Sequence, residues 1–374
     1  MRKQYYLLAL FILFISIFIA CSDQEDEYVP VSPVVVDLTQ VPYPKLSDYK
    51  FFEGEMKNQI PSLNVLPYEP ASSLFSDYAL KKRFVWMPDG TTSTFEGDGE
   101  ILNLPVGAAI IKTFYYDNVQ PANTTRIVET RIMIRKSTGW IFADYVWNTE
   151  QTEAYFDLAG SITDITWKNE NNVLKTVNYR IPSEEQCIVC HKQKETVNGE
   201  EVTVFIPIGI KPQNLNHNYN YGSDSKNQLT KWIEQGYLEN NFSFPSPQNT
   251  TIDYKDTSKS LSLRARSYVD INCAHCHKEK GHCDYRPMKY DFKSTGNSNG
   301  LTNMGVCVNT QDMQDFESAL SKIVTPGNKD RSMMYFRMNT INETYRMPIH
   351  GRSLIHDEGV TLIEQWINSL TTCP

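Results

Sequence analysis

The chain reads as an α+β multidomain protein, with a β-rich N-terminal domain of sandwich or barrel type followed by mainly α domains. Three observations predict this. Residues 74–180 are rich in β-branched and aromatic residues in runs broken by turn residues. After Pro182 the pattern changes to short helical stretches and long loops, and all seven histidines lie on that side. A content of 40% hydrophobic and 12% aromatic residues over 374 positions can build two or three cores and excludes a disordered chain.

The N-terminus comes first. Arg2-Lys3 precede an apolar run from Tyr5 to Ala20, and Cys21 follows. A positive start, a short apolar stretch and a small residue before a cysteine form an export signal, and the run is short for a membrane span of roughly 20 residues. It resembles a bacterial lipoprotein signal peptide, which implies a leader over 1–20, lipidation of Cys21 and attachment to the membrane through that lipid anchor. The stretch Ser22-Asp23-Gln24-Glu25-Asp26-Glu27 lacks an Asp directly after the cysteine. It is similar to the acidic export tags of surface lipoproteins in the Bacteroidetes, which implies the outer membrane, on its periplasmic or cell-surface face. Prolines at 30, 33, 42 and 44 make 21–45 a tether, so folding is expected to begin near Leu46.

Within 46–180, Val106–Tyr116 reads as a strand. Thr125–Arg135 and Trp140–Trp147 read as a hairpin across Ser137-Thr138-Gly139, and Ile162–Trp167 with Val173–Ile181 as another. This region has no histidine and no cysteine, which argues against a soft-metal site inside it. Net charge is -8 and no Lys/Arg stripe is present, which argues against nucleic-acid binding.

The chemistry falls in two regions, 181–250 and 251–374. The first holds Cys187-Ile188-Val189-Cys190-His191 and the second Cys273-Ala274-His275-Cys276-His277. About 0.003 such motifs are expected by chance in a chain of this composition. In this motif the two cysteines form thioethers with a haem and the adjacent histidine turns back onto its iron, so the expected cofactors are two covalently bound haem c groups. Paired disulfides or zinc are the rivals, but neither needs a histidine directly after the second cysteine in both copies.

The second motif has a full context. A helix starting near Ser260 leads into it, and Gln314–Val324, Ser332–Met338 and a segment around Val360–Leu370 read as helices after it. Met347, on a loop stiffened by Pro348, is the expected axial partner of His277. Met333, Met334 and Met338 read as core. The first motif has no methionine up to Asn272, and His217 is the only histidine on offer as a ligand there. His275 and His282 read as solvent-facing or haem-edge groups, and Arg352 as a candidate contact for a haem propionate. Of the remaining cysteines, Cys283 and Cys307 flank the loop after the second motif and are the preferred disulfide pair, leaving Cys373.

The run Pro326-Gly327-Asn328, Arg337-Met338, Met347-Pro348 and Trp366-Ile367 is similar to the closing segment of bacterial cytochrome c domains, which implies Met347 as distal ligand. More broadly, residues 68–370 resemble a family of uncharacterised bacterial dihaem c-type cytochromes. The carriers are Leu74-Phe75-Ser76-Asp77-Tyr78-Ala79, Glu129-Thr130-Arg131, Tyr179-Arg180-Ile181-Pro182-Ser183, both haem motifs, and Gly281-His282-Cys283-Asp284-Tyr285-Arg286. The resemblance implies a cytochrome c-like α domain, electron transfer and redox partner proteins. A haem enzyme of peroxidase type, with the first site open, and a non-haem surface lipoprotein with a β-rich binding domain are the alternatives.

Overall fold

Eight antiparallel strands dominate the N-terminal half: β1 (Leu66–Pro67), β2 (Leu80–Trp86), β3 (Ala109–Val119), β4 (Thr124–Lys136), β5 (Gly139–Trp147), β6 (Ala154–Phe156), β7 (Ser161–Lys168) and β8 (Leu174–Ile181). The order across the sheet is β8-β7-β3-β4-β5-β6, with β2 also paired to β3 and β1 to β2. Both expected hairpins form, β4 with β5 and β7 with β8. In place of a barrel or two separate sheets stands one eight-stranded sheet that branches at β3, which pairs with β2, β4 and β7.

Alternation along the strands gives each face its own core. Phe84, Ile111, Ile132 and Tyr145 pack against Val41, Tyr43, Leu46, Tyr49 and Phe51. On the other face Val85, Ile110, Met133 and Phe142 pack against Ile210, Leu215, Leu229 and Trp232.

This computed structural model describes residues 30–222 and 224–374. The expected leader over 1–20, Cys21 and the acidic stretch after it lie outside the described residues. Val34–Pro374 is a single compact unit, so the boundaries expected at 180 and 250 do not separate domains. The reason is the second core, in which the 181–250 region supplies the layer over the sheet. The tether is also shorter than expected. Val34, Val36 and Leu38 pack against the first core, where Val41 and Tyr43 are buried.

Helices follow the sheet: α1 (Glu184–His191), α2 (Gln228–Glu234), α3 (Leu261–Asn272), α4 (Met333–Met338) and α5 (Asp357–Ser369). Ala265, Tyr268 and Val269 of α3 meet Leu362, Ile363, Trp366 and Ile367 of α5 in a third core. The helices cross at Gly359, where a Cβ would stand 2.2 Å from the Tyr268 hydroxyl. Only glycine permits that approach.

The helix expected over 314–324 is a single 3₁₀ turn, Ser318–Leu320. The chain is instead drawn into pairing, with Cys307 N donating to Val324 O (2.9 Å) and Ile323 N to Val308 O (2.8 Å). The expected Cys283–Cys307 disulfide is likewise corrected: Cys307 bonds Cys373, and Cys283 is a free thiol. Cys283 N donates to Cys276 O at 2.9 Å, which holds it against the second motif, while the chain after α5 returns to Cys307. With 66 residues between its ends, this cross-link contributes about 4 kcal/mol by the chain-entropy argument.

Candidate functional site

The first motif is helix α1 itself. It begins where β8 ends, with Ser183 and Gln186 forming a capping box at its N-terminus. A hairpin, β9 (Lys192–Val197) with β10 (Glu200–Phe205), then returns the chain, so that Ile206 O meets His191 Nδ1 at 2.7 Å. Nδ1–H donation to a carbonyl fixes the ring and leaves Nε2 as the free ligand atom.

The second motif ends α3. Cys273 N and Ala274 N donate to Val269 O, His277 N donates to Cys273 O, and Tyr290 N donates to His277 O. Tyr290 also sets its ring edge-on to His277 at 5.6 Å. Gly281 lets the next loop fold back, since a Cβ there would lie 2.5 Å from Cys276 O.

Backbone contacts bring the two motifs together. Lys194 N, just after the first, donates to Lys280 O, just after the second (2.9 Å). The ligand atoms of Cys190, His275 and Cys276 all lie within 4.8 Å of one another, and Cys276 Sγ faces Val189 O at 3.8 Å. One cavity of about 460 Å³ takes in Cys187, Cys190 and His191 from one motif and Cys273, Cys276 and His277 from the other. None of these four cysteines is in a disulfide.

Burial pushes the Cys187 and Cys273 thiols up to about 12. Cys190 is drawn well below the ordinary thiol range by hydrogen bonding from Cys276, with Cys276 raised in turn. His191 and His277 are both lowered to about 4, chiefly by burial, so both rings are neutral and able to bind a metal. His277 Nδ1 and His275 Nδ1 are buried without a hydrogen-bond partner.

Met347 lines the same cavity. Its loop is held by Arg352, a buried guanidinium that donates to the carbonyls of Met347, Leu354, Arg337 and Thr340 at 3.0–3.1 Å. Arg352 is therefore a backbone knot; it also lines the cavity, and four of its five N–H groups are taken by those carbonyls. His217 is not brought to the cavity. Its Nε2 lies 2.9 Å from both Glu69 O and Gln228 Nε2, and its Nδ1 lies 3.1 Å from Asn218 O. The cavity wall offers His275, His282 and His350 instead.

Sequence reasoning missed that the sheet walls this cavity. Arg83, Lys112, Arg131 and Asp144 all face it. Behind them, burial pushes Glu129 up, but bidentate Arg131 and the Tyr179 hydroxyl outweigh this and the group titrates below the usual carboxylate range. Asp144 is pushed well above that range by burial and by Glu129. The Glu129-Thr130-Arg131 string marked one strand of the wall. Nothing local marked its neighbours.

His356 joins the sheet's leading segment to the helices. It stacks on Phe75 at 4.2 Å, and its Nε2 and Nδ1 meet the hydroxyls of Tyr254 (3.1 Å) and Tyr268 (3.0 Å). Burial lowers it from 6.5 to about 4 against the pull of Glu358, with Lys255, Lys81 and Arg352 adding to the lowering. The unfolded chain binds this proton near pH 6.5 and the folded one only near pH 4, so stability falls as pH is lowered through that window. The expected loss is about 3 kcal/mol. Denaturant unfolding of wild type and His356→Gln at pH 7 and pH 4.5 checks this. Equal pH slopes in both proteins would refute it.

No protein-family model, no curated protein and no solved structure matches this chain.

Proposed function

We propose that the chain is an exported, lipid-anchored dihaem c-type cytochrome that relays electrons between redox partner proteins. One observation carries the reading: two Cys-x-x-Cys-His motifs, far apart in sequence, open onto one cavity with all four thiols free of disulfides. Cys187 and Cys190 would hold one haem with His191 as ligand. Cys273 and Cys276 would hold the other, in a cytochrome c-like helical setting, with His277 and Met347 as ligands.

The residues fit such groups. His191 is turned and fixed by Ile206 O, leaving Nε2 for the iron. His277 is neutral and buried, and the Met347 loop is pinned by Arg352. When bound, haem supplies reversible one-electron storage. The protein places both attachment motifs at one cavity, and electron tunnelling falls steeply with distance, so the arrangement favours exchange between them. Cys21, as the lipidated residue, would anchor the protein at the outer membrane.

A second reading has one observation in its favour: the Cys190, His275 and Cys276 donor set has the composition of a soft divalent metal site such as zinc. It leaves Cys187, Cys273, His191 and His277 without a task. The test is intact mass under denaturing conditions on protein matured with the haem-attachment machinery, with a haem stain of the gel. Two haems per chain are expected. No covalent haem, together with one equivalent of zinc, would replace the first reading by the second. Added cyanide then separates relay from enzyme, because a ligand-binding site at one haem marks the peroxidase-like alternative.

A further inference from the structure

Four residues stand directly opposite one another across β2, β3, β4 and β5 and face the cavity as a row: Arg83, Lys112, Arg131 and Asp144. Ile110, Met133 and Phe142, two residues along on the same face, line the cavity beside them. The charged row is thus set in an apolar wall.

Its charges do not cancel. Arg131 is matched by Glu129, with Nε donating to Oε2 (2.9 Å) and Nη2 to Oε1 (2.5 Å), and Tyr179 Oη donates to Glu129 Oε1 at 2.6 Å. Arg83 has Glu69 at 3.6 Å and Ser73 Oγ at 3.1 Å. Lys112, partly buried, has only the face of Phe114 at 4.9 Å, a ring already approached by Lys81 and Arg131. No ion pair reaches it among the described residues. Asp144, with a side chain 2% exposed, receives no side-chain donor on either oxygen; burial and the adjoining Glu129 favour its protonated form, and Arg131 Nε stands 3.8 Å away. A cation in such a wall is unfavourable until an anion meets it, and a buried carboxyl is unfavourable until it is hydrogen-bonded.

We propose that this row binds one carboxylate, with Lys112 as its charge partner, the free N–H groups of Arg83 and Arg131 beside it, and Asp144 at its end. Burial and the neighbouring cations Arg83, Lys81 and Arg131 disfavour the charge on Lys112, and a carboxylate beside its Nζ restores it. The carboxylate has two sources, a diffusible small acid or a propionate of the first haem. Only the second rests on the dihaem reading.

The test uses the full mature chain, with covalent haem first counted by intact mass, so that failure of the dihaem reading is seen separately. Melting temperature is then followed as formate replaces chloride at constant ionic strength, in wild type, Lys112→Met and Lys112→Arg. For a diffusible ligand, wild type shows a saturable rise in Tm, Lys112→Met weakens the apparent affinity about tenfold or more, and Lys112→Arg weakens it by about threefold or less. For a propionate, formate has no effect, and Lys112→Met moves the midpoint potential of one haem while leaving the other and the circular dichroism unchanged. If Lys112→Met does not fold, Asp144→Asn replaces it and is expected to weaken formate binding about threefold or to move the same midpoint. A haem-free chain without a formate response, or a haem-bearing chain in which neither quantity moves, overturns the proposal.

Discussion

The Cys273→Ser/Cys276→Ser double variant is expected to mature with one haem in place of two, and Cys187→Ser/Cys190→Ser with the other one. The four motif thiols are in no disulfide: among the described residues Cys307 and Cys373 bond each other and the other cysteines are free. Each pair can therefore be removed alone. A crossed variant, Cys190→Ser/Cys276→Ser, is the sharper experiment. If the motifs work separately, it keeps one thioether per haem and still carries covalent haem at both sites. If the close Cys190, His275 and Cys276 group is a metal site, the same variant loses two of three donors and all of its metal. Intact mass and metal content read both outcomes on one sample. Unchanged mass offsets across all three variants would sink the haem assignment.

The parts legible in the sequence are those whose physics is local. Hairpins β4–β5 and β7–β8 announce themselves by alternation and turn residues. Both Cys-x-x-Cys-His motifs are legible because their spacing lies within five residues. The structure departs from the sequence reading where a residue's neighbour comes from elsewhere in the chain. Cys307 finds Cys373 because α5 returns the C-terminus to it, a fact that no local spacing carries. The 314–324 segment has helical composition, yet strand-like pairing with Val306–Asn309 takes its backbone donors. His217 looked available because it was the only histidine between the motifs; its ring nitrogens lie against Glu69, Gln228 and Asn218. The row from Arg83 to Asp144 depends on register across four strands. A shift of one residue in any of them would turn a member of the row to the opposite face.

Asp77→Ala is expected to destabilise the protein by about 3 kcal/mol or more and to loosen the Met347 loop, although Asp77 touches neither motif. The carboxylate is buried and accepts from Ser353 N (2.7 and 2.8 Å), Ser353 Oγ (2.7 Å) and Leu354 N (2.8 Å). Those residues follow Arg352, whose guanidinium holds the carbonyls of Met347 and Arg337. Asp77 thus fastens the loop carrying the expected axial methionine to the segment that leads into β2. The contact supports strain as well: Asp77 and Tyr78 both have left-handed backbones, with φ of 52° and 65°, each costing roughly 1–2 kcal/mol. Asp77→Asn is no remedy, because its amide would present N–H groups to donors that need an acceptor. Glu358→Gln, which changes the exposed partner of the Tyr78 hydroxyl, is the control and should stay within about 0.5 kcal/mol of wild type. Denaturant unfolding gives the stabilities, and the methionine–iron absorption band of the matured protein reports the loop. An Asp77→Ala protein as stable as the control, with that band intact, would show that the clamp does not hold the loop.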